Sequence, residues 1–152
     1  MVAFAVAIAA NKEGKRQVVG FKCIDVESKL SWRDFLLNLK SRGLNGVQLV
    51  ISDEHAGLVE AVREVMLGAA HQRCIAHLEK NVIDKAKRKN YGMAAVKALK
   101  FCFKESKPGL VRAGYRKACD LLAKYDKDDA AYLAKAEDFA LAYLNFPREH
   151  SK

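Results

Sequence analysis

The stretch VQLVISDEHAGL, residues 47–58, decides how this chain folds. Four of its first five residues are aliphatic, which is the composition of a buried strand. Ser52 and Asp53 follow, and from Gly57 the pattern turns helical. An acid at the carboxyl end of a buried strand is where open α/β sheets keep their chemistry. Asp53 is therefore the first candidate for a working residue.

Outward from this stretch the chain reads as α/β and then as all-α. Upstream, residues 2–10 are an apolar run, Asn11-Lys12-Glu13-Gly14 supplies turn chemistry, and residues 15–26 resume a β-like pattern, so a hairpin is expected. Ser28 and Ser31 are candidate N-caps for a helix that lines up Trp32, Phe35, Leu36 and Leu39 and ends at Arg42-Gly43. Residues 46–52 read as a strand, 56–66 as a helix closed by Gly68, and 69–75 as a short strand. From about residue 78 no β pattern remains. Helices are expected over about 78–90, 92–105, 110–125 and 129–145. Breaks fall at Tyr91-Gly92, at Pro108-Gly109 and at the acidic turn 126–129, and Phe146-Pro147 stops the last helix.

The 152 residues carry a formal net charge of +9, which points to an anionic partner, nucleic acid first. Residues 1–76 hold 10 Lys and Arg against 8 Asp and Glu, a net of +2, whereas residues 77–152 hold 17 against 10, a net of +7. The basic surface belongs to the second half. Cys23, Cys74, Cys102 and Cys119 are scattered, as expected of reduced thiols in the cytoplasm. The opening MVAFAVAIAA has no basic residue ahead of its apolar run and is too short to span a bilayer, so no membrane partner is expected.

Residue chemistry alone leaves several readings open. Asp53 is either a divalent-metal ligand or a cap on the helix that follows. Glu54 and His55 beside it either support such a site or face water. Cys74 and His77 stand at C-x-x-H spacing, which is half of a zinc site, and only Cys102, Cys119 and His150 could complete it from a distance. A Cys–His nucleophile pair would need an orienting third group that the sequence does not supply. The local reading has Cys74 buried and His77 hydrogen-bonded near the site. Lys85, Lys87, Arg88 and Lys89 form a basic run that is either a solvated helix face or a contact to a DNA backbone. The aromatic residues of the second half fall at helical spacing and read as core before they read as base-stacking platforms.

Three strings go further. Trp32 to Leu44 give W-x-x-F-L-x-x-L-x-x-R-G-L, Val47 to Leu58 give V-x-L-V-I-S-D-x-H-x-G-L, and Gln72 to Asn81 give Q-R-C-x-x-H-x-x-x-N. In this order and spacing they resemble the Mutator-type insertion-sequence transposases of prokaryotes, mobile-element proteins that recombine DNA. The resemblance is strong over residues 14–81 and weaker beyond. It implies an α/β fold: a partial RNase H-like mixed sheet with flanking helices over residues 1–77, followed by an all-helical insertion segment over 78–152. It implies metal-dependent DNA cleavage and strand transfer at an Asp-Asp-Glu site served by Mg²⁺ or Mn²⁺. Asp53 matches the family's second catalytic Asp and metal ligand, and Cys74, His77 and His55 match or neighbour its supporting residues.

The first Asp and the final Glu of the family have no match here; Asp25 and Glu149 stand in other contexts, and Met66-Leu67 replaces a common Phe-Pro. The expectation is a fragment truncated at both ends, without stable metal and inactive alone. Its expected partner is DNA, at the cytoplasmic nucleoid. It is also expected to form homo-oligomers or to pair with full-length transposase. The alternative is a non-catalytic DNA-binding or transposase-interacting fragment.

Overall fold

The computed structural model describes residues 3–24 and 27–146. They form two compact units, Met1–Gln72 with Asn145–Lys152, and Arg73–Leu144. The division therefore puts Cys74 and His77 with the helical segment.

The first unit opens with a hairpin of β1 (Ala3–Ala10) and β2 (Arg16–Ile24). The strands pair antiparallel, with a register shift at Ala7/Ile8. In the connection, Asn11 Oδ1 accepts from the backbone N–H of Glu13 and Lys15, the local side-chain bonding that makes Asn a turn residue. Helix α1 (Lys29–Ser41) is entered through Ser28. The Ser28 hydroxyl accepts from the N–H of Ser31, and the Ser31 hydroxyl accepts from the N–H of Ser28, a reciprocal box built from two serines. Of the two candidate caps, Ser28 is the cap and Ser31, the third residue of the helix, is its partner.

The residues 47–58 stretch becomes β3 (Leu49–Ser52) and α2 (Ala56–Val65), and β4 (Ala70–Arg73) follows. Phe35, Leu36 and Leu39 of α1 share a core with Ala61, Val62 and Val65 of α2 and with Ala5 and Ile24 of the hairpin. Lys29 and Arg33 reach Glu64 across the two helices at 3.2 and 2.7 Å. These exposed pairs add little stability beside the apolar contact beneath them.

Two expectations change here. The mixed sheet is resolved into two separate two-stranded sheets among the described residues, β1 with β2 and β3 with β4. Strand β3 is not buried on both faces: Val50 packs against the core, but Ile51 is 61% exposed. An aliphatic run reports apolar side chains and not how many faces are covered, and a two-stranded pair covers few.

The second unit is helical. It runs through α3 (Ile75–Lys85), α4 (Lys89–Cys102), α5 (Pro108–Ala123), α6 (Lys127–Lys135), α7 (Glu137–Ala140) and a 3₁₀ turn (Ala142–Asn145). Its core is built on Leu78, Val82, Leu99, Val111, Tyr115, Leu122, Leu133 and Leu141. Tyr115 is wholly buried and donates its hydroxyl proton to the Leu133 carbonyl at 2.9 Å, which satisfies the one polar atom it brings inside. Pro108 sits in the first turn of α5, where its missing N–H has no intrahelical partner to lose. The single helix expected over 129–145 is instead α6, α7 and the 3₁₀ turn, with Ala136 ending one helix and starting the next. The stop expected at Phe146-Pro147 falls partly outside the described residues. No helix among the described residues is long and apolar enough to cross a membrane.

Candidate functional site

Asp53 leaves the end of β3, half-buried, and its carboxylate turns back on the loop. Oδ1 accepts from the His55 backbone N–H at 3.1 Å. The residue that caps α2 is His55, and it makes no side-chain cap bond. Asp53 thus braces a two-residue turn ahead of the helix and does not cap the helix itself. Among the described residues its second oxygen, Oδ2, has no hydrogen bond or ion pair. That leaves one carboxylate oxygen available to a cation or a donor.

Two features hold this loop in place. Gly57, in the first turn of α2, lies against the start of α1: a Cβ there would sit 2.7 Å from the Lys29 backbone nitrogen. Only glycine allows that approach. Ser52, the residue before Asp53, donates its hydroxyl to the Asp53 carbonyl at 2.9 Å and lies 2.8 Å from Nε2 of His71 on β4. A serine has one proton to give, and a carbonyl can only accept. The bond to His71 is therefore donated by Nε2–H. Ser52 and His71 were not singled out from sequence, because their meeting depends on how β3 and β4 pair across a separation of 19 residues.

His55 points elsewhere. Its Nε2 is 3.9 Å from a Glu27 carboxylate oxygen, and its buried Nδ1 has no hydrogen-bond partner among the described residues. Cys74 is the residue that precedes α3; it is half-buried, not buried as the local reading had it. His77 is exposed in the first turn of α3, and its imidazole makes no hydrogen bond among the described residues, contrary to that reading. All four cysteines are unpaired thiols. Burial holds the Cys102 and Cys119 thiols protonated, both pushed up to about 11.

No group of three or more His, Cys, Asp or Glu side chains that could hold a metal ion occurs among the described residues. Magnesium takes one or two carboxylates and completes its shell with water and phosphate. Asp53 alone fits the part of one ligand and does not make a site for a pair of ions.

The basic run is divided by the fold. Lys85 places its ammonium 5.0 Å from the centre of the Tyr132 ring, and the buried Arg73 guanidinium bonds the Tyr132 hydroxyl. Lys87 is held by Asp126, with Asp128 at 3.8 Å, and its backbone N–H donates to Asp129. Arg88 and Lys89 are exposed, and Arg88 lies 5.9 Å from the centre of the Tyr91 ring. Tyr91 stacks on Tyr125 at 3.4 Å beside a shallow cleft of about 290 Å³ that Arg88 and Lys124 also line. Of the four cations in the run, Arg88 and Lys89 are the two not drawn onto an acidic turn or Tyr132.

The sequence profile described as "Transposase, Mutator family" matches residues 1–152. The chain belongs to the Mutator family of transposases. The transposase for insertion sequence element ISRM5 of Rhizobium meliloti is 34% identical over 156 aligned positions, covering 99% of this chain and 37% of that protein. The transposase for IS1081 of Mycobacterium tuberculosis is 31% identical over 144 positions, 95% of this chain and 34% of that protein. The transposase for IS256 in transposon Tn4001 of Staphylococcus aureus is 41% identical over 85 positions, 56% of this chain. The Mutator chain thus spans little more than a third of the length of the relatives it matches end to end.

Proposed function

We propose that this Mutator-family chain carries one carboxylate, Asp53, of a divalent-metal site for DNA cleavage and strand transfer, on a partial RNase H-like core followed by a DNA-facing helical segment. The observation that carries this is the uncommitted Oδ2 of Asp53, at the end of β3 and within the D-x-H-x-G-L string of a chain that matches the family over residues 1–152. When bound, Mg²⁺ or Mn²⁺ would activate the attacking hydroxyl and stabilise the leaving oxygen. Asp53 would supply a fixed negative charge, kept in place by the His55 N–H, by the Gly57 contact and by the Ser52–His71 bond. Cys74 and His77 would support the site from the start of α3.

One carboxylate does not hold two such ions against their hydration, so the chain alone is proposed to be inactive. The test is a nicking and strand-joining assay on supercoiled DNA with Mg²⁺ or Mn²⁺. No product is expected. Metal-dependent nicking that disappears in Asp53→Ala would show that the chain assembles a working site and would overturn the proposal of inactivity.

A second reading, a non-catalytic DNA-binding fragment that meets full-length transposase at the nucleoid, draws on the net +7 of residues 77–152 and on exposed Arg88 and Lys89. It requires DNA affinity that falls steeply between about 50 and 200 mM salt and is unchanged in Asp53→Ala. The double variant Arg88→Gln, Lys89→Gln should weaken binding and flatten the salt dependence. Binding indifferent to salt removes this reading.

A further inference from the structure

The connection from α1 to β3 holds the only Asn-Gly pair in the sequence, Asn45-Gly46. Both residues are exposed, and Gly46 has φ +63°, a conformation that glycine adopts without strain. A Cβ at Gly46 would meet nothing within 4 Å. Asn45 Nδ2 donates to the Gly43 carbonyl at 3.0 Å. Among the described residues, neither Asn45 Oδ1 nor the Gly46 N–H makes a hydrogen bond. An amide carbon is an electrophile, and the nearest nucleophile along the chain is the nitrogen of the next residue. Here that nitrogen is uncommitted and carries no side chain beside it. The other asparagines are placed differently. Asn38 and Asn81 lie inside α1 and α3, where the backbone is tied into a helical ladder. The N–H that follows Asn90 donates to the Arg88 carbonyl. Asn11 Oδ1 is held by the N–H groups of Glu13 and Lys15. Asn145 is followed by the bulky Phe146.

We propose that Asn45 is a site of self-catalysed deamidation, with water as the co-reactant. The Gly46 nitrogen gives its proton to solvent hydroxide and attacks Asn45 Cγ. A bond from that nitrogen to Cγ forms, the Cγ–Nδ2 bond breaks, and Nδ2 takes a proton from water and leaves as ammonia. A second water opens the resulting succinimide ring. Opening at Cγ gives aspartate with the normal main chain. Opening at the main-chain carbonyl of residue 45 gives isoaspartate, in which the main chain runs through Cγ. Nothing is oxidised or reduced, and either product adds a carboxylate to a chain of formal net charge +9. The place of the pair gives the reaction a structural consequence. Leu44 and Val47, on either side of it, both pack against the core of the first unit. The Gln48 carbonyl next along accepts the Ala70 N–H at 2.9 Å. Only Asn45 and Gly46 separate the two packed side chains, so the extra main-chain carbon of isoaspartate displaces one of them at the entry to β3. The proposal is independent of Asp53 and of DNA.

Ageing of the purified chain at mildly alkaline and at mildly acidic pH tests it. Peptide masses report the change from amide to acid, and methyl transfer from labelled S-adenosylmethionine by an L-isoaspartyl methyltransferase reports the β-linked product. The Asn45 peptide is expected to deamidate about tenfold faster, or more, than any other asparagine peptide, because only there is the attacking nitrogen that of glycine. The rate should be higher at alkaline pH, since the nitrogen must lose a proton to attack. Asn45→Gln, whose longer side chain would have to close a larger ring, should abolish the methylation, whereas Asn11→Gln should leave it unchanged. In a urea titration the Trp32 fluorescence midpoint of the aged chain should fall below that of the fresh chain, and aged Asn45→Gln should show no such shift. An Asn45 peptide that deamidates no faster than the Asn11 peptide overturns the proposal, as does methylation that persists in Asn45→Gln. An aged chain that is methylated at residue 45 yet unfolds with the fresh chain overturns the displacement at the entry to β3.

Discussion

Asp53 was legible in the sequence because a carboxylate after an aliphatic run has few places to be. What the sequence left open was whether it worked only for the helix behind it, and the geometry answers that in part. Among the described residues its carboxylate makes one hydrogen bond, accepting from the His55 N–H at 3.1 Å, which asparagine can also do through its own Oδ1. Asp53→Asn should therefore melt within about 0.5 kcal/mol of the parent, while Asp53→Ala, which loses that bond, should cost about 1 kcal/mol. Thermal or urea unfolding of the two variants separates the roles. If Asn is as damaging as Ala, the charge itself serves the fold, and the carboxylate is less available to a metal than proposed. The Ser52–His71 bond beside it was not legible, since no local pattern ties a serine at the end of one strand to a histidine on the next. Cys74 and His77 were found by their spacing, but spacing carries no information about exposure.

At the scale of elements, the sequence marked most helices and misplaced several of their joints. Gly92 was read as a break between helices, yet it lies buried inside α4. A Cβ there would come 2.9 Å from that of Ala86 and 3.0 Å from the Ile83 Cα, so this glycine serves the close crossing of α3 and α4. Close approach and chain reversal both select glycine, and one sequence does not tell them apart. The acidic turn expected at 126–129 is shorter than read: only Asp126 precedes α6, and Lys127, Asp128 and Asp129 form the first turn of that helix. Asp126 caps α6 by accepting from the N–H of Asp128 and Asp129, and it also binds Lys87 from the α3–α4 connection. Lys87 holds the Asp126 carboxyl below its usual range, and Asp126 raises the Lys87 ammonium. A depressed carboxylate stabilises the fold fully above its unfolded pKa of about 4 and loses that contribution as pH falls through the folded value. A raised lysine contributes fully below about 10.4 and loses it as pH rises through its folded value. The contribution of this pair should therefore be level from roughly pH 5 to 9 and decline on either side. Asp126→Asn, which keeps a capping oxygen, should lose part of the acid-side decline in melting temperature while remaining more stable at pH 7 than Asp126→Ala. An acid limb unchanged in both variants would place the titration elsewhere.

For the whole molecule, the division into two units has a thermodynamic consequence. Among the described residues the helical unit gathers 14 buried side chains into one core and the other unit 9, and the smaller core serves two sheets of two strands each. A two-stranded sheet is marginal in water unless something packs on it. Contact with α1 covers one face of the hairpin, while Phe4, Val6, Ile8, Val18 and Phe21 are left 51–69% exposed. The first unit should then be the weaker of the two, so that one cooperative transition is not expected. The chain contains a single tryptophan, Trp32, and it packs against the core of this first unit. Most of the helix, by contrast, belongs to Arg73–Leu144. Tryptophan fluorescence and far-ultraviolet circular dichroism therefore report different units. In a urea titration the fluorescence midpoint should come first, with most of the helical signal lost at higher denaturant. Coincident midpoints would show that the two units unfold as one and that the larger core does not stand apart from the smaller.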